Sequence, residues 1–480
     1  MDKALGIIEK RTGINLTQLM TSLVFLGIFF IPFSSFRGIP ALGEFAREPS
    51  VIFFFFAFLV LVTDTVIRKR IIFPIKNLMF QLALVLFVWF IIATLVNIPS
   101  IHNYSFKGAS GYERFLLQYG VVLLSGVFFL TTYFNVFRRF DSLTLFYKVR
   151  KVFYYSMCIV ATYGILEILI LKFKLAFFHY ILWFFNFFPF TEVYLDYGHD
   201  RISSVTFEAP ALATYLFTVA GWMFSYIITE KGFKKFIPAV LVIVLGLFSG
   251  SRAALFVIVI QVLVFGFLLI RKRKHHQIFI TIISLSSVVI LFLGIFKGQE
   301  IADSLVEKAT SFDVRDNKHA ISNRSRFGIQ YANFLVFLEN PVTGVGYGMQ
   351  AFEARYKYPK WATVSNWEFR LKYLNENNPN FPPGYNLYAR ILAEAGIIGM
   401  ILFLSLIVLI LFTTYRLIKK NDQRYLLAIV IFISMIGFCF NWLKVDTIRV
   451  FGFWINFALL LTITSNSKFT FGLKKDNASK

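Results

Sequence analysis

The chain has 480 residues, of which 57% are hydrophobic, and its 49 Lys and Arg against 26 Asp and Glu give a net charge of +23. Apolar runs of about 20 residues recur along it, the length of a membrane-spanning helix, which excludes an ordinary soluble domain. A large positive net charge is also typical of proteins that bind nucleic acids. Here, however, most Lys and Arg stand in short connections between apolar runs, where anionic lipid is the expected partner. We therefore predict a membrane-lipid partner and no nucleic acid.

Apolar periodicity and length predict twelve membrane-spanning helices in chain order. They cover residues 16–36, 50–67, 77–97, 115–137, 152–171, 209–229, 236–249, 253–270, 277–296, 396–417, 425–442 and 450–464. The aromatic stretch 175–190 is predicted to be an interfacial or re-entrant segment. The predicted fold is an all-α integral membrane protein of about twelve transmembrane helices.

The chain divides into three predicted regions. Residues 1–297 hold the first nine helices, residues 298–395 form one large polar loop with short helices, and residues 396–480 hold the last three helices and a tail. Lys and Arg cluster in alternate connections, for example 68–70 and 271–274. The positive-inside rule then places both termini in the cytoplasm and the large loop outside, in the periplasm.

Four polar clusters face the outer side in this topology. They are Arg201 with Glu208, Arg252 in a helical hairpin, Arg324 with Arg326, and Tyr385 with Asn386, Arg390 and Glu394. A guanidinium group is permanently charged and meets phosphate oxygens through paired hydrogen bonds. Several arginines on one rim therefore predict a site for an anionic group such as a pyrophosphate.

Several of these residues also have plainer interpretations. Arg252 could extend to lipid headgroups, as interfacial arginines usually do. Arg324 and Arg326 could be solvated surface charges, and Glu208 could cap the helix that Pro210 opens. The sequence leaves both kinds of role open for these residues.

Three further features have structural interpretations. Arg390 and Glu394 are spaced for an i, i+4 ion pair along a helix. The Gly-rich stretch 341–348 predicts a turn and not a nucleotide site, because no strand precedes it. Glu167 stands inside an apolar span, where a carboxylate is expected to be paired or functional.

Taken in order, these motifs resemble the O-antigen polymerase/O-antigen ligase superfamily of bacterial polytopic glycosyltransferases. Four pieces carry the resemblance: Arg201 with Glu208-Ala-Pro210, Gly250-Ser-Arg-Ala-Ala254, Arg326 ahead of Asn340-Pro-Val-Thr-Gly-Val-Gly346, and Tyr385-Asn386 followed by Ala395-Gly-Ile-Ile-Gly399. Their order and the position of the large loop agree from Arg201 to the end of the tenth predicted helix.

The resemblance implies metal-independent glycosyl transfer, without a cofactor, at the periplasmic face of the inner membrane. The donor would be an oligosaccharide on undecaprenyl pyrophosphate, and polysaccharide length would be set with a separate chain-length regulator. Carried over by position, Arg252 and Arg326 grip the pyrophosphate, with Glu208 and Tyr385 as the other predicted catalytic residues. The predicted substrate-binding residues are Arg201, Arg324, Asn386 and Arg390.

One residue departs from the family pattern. The ligase branch has a His where this chain has Tyr385, and a phenol with a pKa of about 10 is a poor general base at neutral pH. Either another group deprotonates the acceptor hydroxyl, with Glu208, Glu394, His319 and His199 as the candidates, or the dissociative chemistry needs little help from a base. The missing His favours an O-antigen polymerase of the Wzy type, acting in lipopolysaccharide biosynthesis, over a ligase that transfers glycan to lipid A core or protein. The sequence is also compatible with a flippase or transporter of lipid-linked sugars, and with a non-catalytic scaffold.

Overall fold

The computed structural model describes residues 15–271, 277, 280, 320–465 and 471–472. Within them, twelve helices have twelve or more residues. In chain order they are α1 Leu16–Phe29, α2 Ser50–Arg68, α3 Leu78–Val96, α4 Gly111–Phe137, α5 Ser142–Leu171, α6 Ala209–Thr229, α7 Ile237–Phe248, α8 Arg252–Ile270, α9 Ala320–Glu339, α10 Leu387–Lys420, α11 Tyr425–Asn441 and α12 Phe451–Thr464. Most of the predicted span 277–296, and the beginning of the predicted loop at 298–319, lie outside the described residues.

Seven helices are long and apolar enough to cross a membrane: α2, α3, α4, α5, α6, α8 and α10. The apolar helices α1, α11 and α12 are shorter. The described strands are two-residue pairs, Arg70–Ile71 with Phe471–Gly472 and Ser105–Phe106 with Ala109–Ser110. An all-α, multi-pass membrane architecture is therefore confirmed, whereas the number of twelve spans stays a prediction.

Some helices extend past the apolar runs that predicted them. The helix α4 begins at Gly111 and not at 115, because Ser110 and Glu113 form a capping box. Likewise α5 begins at Ser142 and not at 152, where the Asp141 side chain caps the first turn. By contrast α1 ends at Phe29, short of the predicted residue 36. Apolar content locates the membrane part of a helix but not its polar ends.

The interior of the bundle is built around α6, the most deeply buried of the seven long apolar helices. It packs against α5, α7, α8 and α11. Trp222, Trp442 and Trp454 are fully buried among phenylalanine rings. In the predicted interfacial stretch 175–190, the short helices Phe178–Trp183 and Phe184–Phe187 leave several aromatic side chains exposed.

The Gly-rich turn at 341–348 follows α9 and packs against α10. This helix is broken at Gly396, where φ is +65°, and the Ile397 N–H donates to the Pro341 carbonyl at 2.8 Å. A Cβ atom at Gly396 would lie 2.2 Å from the Val342 carbonyl oxygen, so only glycine fits. The prediction of a turn at 341–348 is confirmed, and the turn packs directly against the helix break.

Candidate active site

The connection that carries Arg201 and Glu208 is held by Glu167 of α5. The Glu167 carboxylate is fully buried and accepts the backbone N–H groups of Ser203 at 3.3 Å and Ser204 at 2.6 Å. The partner expected for Glu167 is thus the backbone of Ser203 and Ser204. These hydrogen bonds hold the connection that carries Arg201 against α5.

This pairing predicts a stability effect. Glu167→Ala leaves two buried N–H groups without acceptors and should lower the free energy of unfolding by about 1–3 kcal/mol. Thermal unfolding of the detergent-purified protein measures the change. Glu376→Ala, at an exposed carboxylate with 74% side-chain accessibility, is the matched control and should have no effect beyond about 0.5 kcal/mol. Equal melting of both variants would contradict the anchoring role.

Arg201 lies against the turn that starts α8. Gly250 has φ +63°, and a Cβ atom there would come 2.8 Å from Arg201 Cγ, so the missing side chain lets Arg201 cross the turn. Ser251 then caps α8 by accepting the Ala254 N–H at 3.3 Å. The cap places Arg252 in the first helical turn, beside Arg201.

One face of α9 supplies the next groups. Arg252 Nη2 donates to Asn323 Oδ1 at 3.3 Å. Arg326 follows one helical turn later on the same face, and then Gln330, whose Nε2 donates to the Tyr385 carbonyl at 3.3 Å. The face therefore connects the start of α8 with the segment before α10.

Tyr385 is positioned by its neighbours and is not free to act as a base. Its hydroxyl lies 2.6 Å from the hydroxyl of Tyr373, and the guanidinium of Arg326 lies 5.6 Å from its ring centroid. Burial raises the pKa of Tyr385 above its ordinary value. The ring is placed to support Arg326.

Lys444 is a cation that sequence reasoning missed. It follows α11, and its Nζ is buried with no hydrogen-bond partner among the described residues. Burial, followed by the charge of Arg326, lowers the pKa of Lys444 to about 8, although Glu208 opposes this shift and Arg201 adds to it. An unsatisfied ammonium beside two guanidinium groups is the arrangement expected where an anion is to bind.

These side chains line one cavity of about 660 Å³ at the end of the bundle. Four cations line it: Arg201, Arg252, Arg326 and Lys444. Among the described residues, no carboxylate lines it. Its other wall is apolar and includes Leu247, Leu255, Phe256, Phe327, Phe440 and Leu443. Phe256 is 57% exposed and Leu443 is 50% exposed. The cavity thus joins a concentrated positive charge to an open apolar surface.

Glu208 stands near these cations. It occupies the N-cap position of α6, but its side chain makes no capping hydrogen bond, so the capping interpretation is wrong. Desolvation by the surrounding protein raises the pKa of Glu208, whereas the positive charges of Lys444, Arg326 and Arg47 act to lower it. A carboxyl group with a raised pKa near the cavity is chemically suited to take up a proton.

Other predicted site residues lie elsewhere. Arg324, two residues from Arg326, faces another side of α9 and does not line the cavity. Asn386 caps α10 by accepting the N–H groups of Tyr388 and Ala389. Arg390 is buried and pairs with Glu394 at 3.0 Å, which confirms the i, i+4 pair.

Of the histidines named as base candidates, only His199 lies among the described residues, and it does not line the cavity. His199 is exposed and contacts Asp196 at 3.1 Å. His319 lies outside the described residues. In the described parts of the chain, no group of three or more His, Cys, Asp or Glu side chains could hold a metal ion. Glu208 interacts electrostatically with Lys444 and Arg326, two of the four cations that line the cavity.

Comparison with known proteins supplies one match. Residues 237–404 match the family model described as O-antigen ligase, Wzy_C. No curated protein matches the chain. The matched segment runs from α7 into α10 and includes Arg252, Arg326 and Tyr385, whereas Arg201, Glu208 and Lys444 lie outside it. The resemblance to the O-antigen polymerase/O-antigen ligase superfamily is confirmed, and the match indicates a polymerase or ligase type of glycosyltransferase acting on lipid-linked oligosaccharides.

Proposed function

We propose, from the O-antigen ligase match over residues 237–404, that the protein is an O-antigen polymerase. It transfers the growing glycan from undecaprenyl pyrophosphate to an incoming lipid-linked repeat unit. The observation that carries the proposal is the cavity in which Arg201, Arg252, Arg326 and Lys444 meet beside an apolar wall. A lipid pyrophosphate has the same two parts, a compact multiple negative charge and a long hydrocarbon chain.

The cavity suggests how its residues act. The four cations bind the pyrophosphate, and the prenyl chain lies along Phe256, Phe440 and Leu443. When the glycosidic C–O bond breaks, its electron pair passes to a pyrophosphate oxygen, where preorganised cations stabilise the growing charge. The acceptor hydroxyl oxygen bonds to the anomeric carbon, and Glu208 takes its proton. The guanidinium and ammonium groups supply the positive charge that this scheme needs without a metal ion.

The distribution of basic residues supports a periplasmic site. The helices α6, α8 and α10 all begin at the cavity end of the bundle. Their far ends are followed or closed by Lys231, Arg271 and the pair Lys419–Lys420. The positive-inside rule assigns those far ends to the cytoplasm and the cavity to the periplasmic face of the inner membrane, with both termini cytoplasmic. A chain-length regulator is the proposed protein partner.

Tyr385 gives a test of this mechanism. Tyr385→Phe keeps the ring beside Arg326 and removes one hydroxyl contact with Tyr373, so transfer should fall no more than about fivefold. Tyr385→Ala removes the ring and should cost more. Initial rates with lipid-linked repeat units compare the two variants. Complete inactivation by Tyr385→Phe would make the phenol itself a catalytic group.

A ligase is the second candidate, because O-antigen ligase is the description of the matched family. Tyr385 favours the polymerase, since the ligase branch that the chain resembles has His there. Deleting the gene separates the two. Loss of a polymerase leaves surface glycan one repeat unit long, whereas loss of a ligase leaves lipid A core without repeat units. Accumulation of repeat units on the cytoplasmic side would instead indicate a flippase.

A further inference from the structure

A second cavity, of about 550 Å³, lies behind the first. The segments 382–385 and 444–447 separate them: Tyr385 and Lys444 line the first cavity, whereas Pro383 and Asp446 line the second. The Gly384 N–H donates to Asp446 Oδ2 at 2.5 Å, which ties the two segments into one wall. The volume falls in the range of about 300–1,000 Å³ typical of ligand sites.

In the second cavity carboxylates and guanidinium groups lie side by side, whereas the charged residues described in the lining of the first are all cations. Glu44 lies 3.4 Å from Arg114 Nη1 and 3.6 Å from Arg449 Nη1. Asp446 Oδ2 lies 3.7 Å from Arg390 Nη1. A second pyrophosphate would meet these carboxylates as well as the guanidinium groups, so its attraction would be weaker than in the first cavity. The cavity therefore suits a ligand that is polar without being strongly charged.

Its polar groups form a fixed chain of donors and acceptors. Gln118 Nε2 donates to Glu44 Oε1 at 2.9 Å, and Gln118 Oε1 accepts from Arg390 Nη2 at 3.0 Å. A sugar hydroxyl both donates and accepts, so alternating carboxylate, amide and guanidinium groups can satisfy several hydroxyls at once.

The lining of the same cavity also includes an aromatic side chain, Phe381. The Arg114 guanidinium lies 4.3 Å from the centroid of the Phe381 ring, and both side chains line the cavity. The ring is further held between Phe106 and Phe352, with centroids 5.6 and 5.5 Å away. An aromatic side chain beside polar groups can contact the apolar C–H surface of a pyranose while its hydroxyls form hydrogen bonds.

We propose that this second cavity is a saccharide site that binds sugars of the lipid-linked substrate. The inference rests on the proposed function, which supplies the sugar and places its reacting end in the first cavity. The shared wall at 382–385 sets the two sites back to back. Sugars bound at Phe381 and Gln118 would therefore lie one wall away from Tyr385 and the pyrophosphate.

Binding by the purified, full-length protein in nanodiscs tests the proposal. The probe is the oligosaccharide released by mild acid from the strain's own lipid-linked repeat unit, followed by saturation-transfer NMR. Phe381→Leu and the shape-conserving Glu44→Gln should each weaken its binding at least tenfold. Phe256→Leu, the matched change in the first cavity, should leave it unaltered. Binding of undecaprenyl pyrophosphate should be weakened by Phe256→Leu and unaltered by Phe381→Leu and Glu44→Gln. It should be lost in Arg326→Ala.

Different failures have different meanings. Wild-type oligosaccharide affinity in both second-cavity variants, or loss only in Arg326→Ala, would overturn the saccharide site and leave the proposed function standing. Failure of the wild-type protein to bind undecaprenyl pyrophosphate would overturn the proposed function, while the oligosaccharide result would still be interpretable alone.

Kinetics identifies which sugars occupy the site. With lipid-linked polymer as donor and a single lipid-linked unit as acceptor, Glu44→Gln should raise the KM for one of them. A raised acceptor KM assigns the cavity to the incoming unit, and a raised donor KM assigns it to the growing glycan. Unchanged KM values for both would contradict the proposal.

Discussion

Arg326→Ala and Arg252→Ala should each lower the rate of glycan transfer by at least about 100-fold. Loss of one preorganised group that stabilises charge in a transition state typically costs about 3–4 kcal/mol. Both guanidinium groups line the cationic cavity, and Asn323 and Tyr385 hold them in position. Initial rates with purified variants and lipid-linked repeat units measure the effect.

The controls distinguish loss of charge from loss of folding. Arg326→Lys keeps a positive charge and should recover part of the rate. Arg37→Ala removes an arginine whose side chain is 94% exposed and does not line the cavity, and it should have no effect. The double variant should lose less than the product of the two single losses, because both groups act on one pyrophosphate. Normal polymer from either single variant would contradict the site.

Lys444 should make transfer depend on pH near 8. Burial and the neighbouring guanidinium groups lower the pKa of Lys444 to about 8, so the free enzyme carries its ammonium below that pH and loses it above. We expect kcat/KM, which reports the free enzyme, to decrease as the pH rises through 8. The kcat value should change less, because bound pyrophosphate stabilises the ammonium.

Two variants isolate this contribution. Lys444→Arg keeps a charge that does not titrate in this range, so the decrease in kcat/KM above pH 8 should disappear. Lys444→Met keeps the length of the side chain and removes the charge, and transfer should fall about tenfold or more at pH 7. An unchanged pH profile in Lys444→Arg, or a normal rate in Lys444→Met, would show that the amine does not face the pyrophosphate.

Sequence patterns predicted most of the cationic cavity. Hydropathy and motif order place Arg201, Arg252, Arg326 and Tyr385 on one outer rim, and in the structure all four line the same cavity. Arg324 was grouped with Arg326 because the region was interpreted as a loop. Once α9 is known to be a helix, a separation of two residues places the pair on different faces.

Other features had no sequence signal. Lys444 is a single lysine in a short connection, where lysines usually reach water or headgroups, and only the packing of α8, α9 and α11 shows that its Nζ is buried. The apolar run predicts a tenth span that begins at residue 396, after Arg390 and Glu394. In the structure α10 begins at Leu387, since the two charges neutralise each other inside the protein.

The most direct test of the central claim uses purified protein with undecaprenyl pyrophosphate-linked repeat units as the only substrate, resolved on a gel. A polymerase with an arginine-based site predicts a ladder of increasing chain length that is lost in Arg252→Ala and retained in Arg37→Ala. A product that forms only when lipid A core or protein is added would contradict the polymerase in favour of a ligase. A ladder that persists in Arg252→Ala would contradict the cationic cavity as the site of transfer.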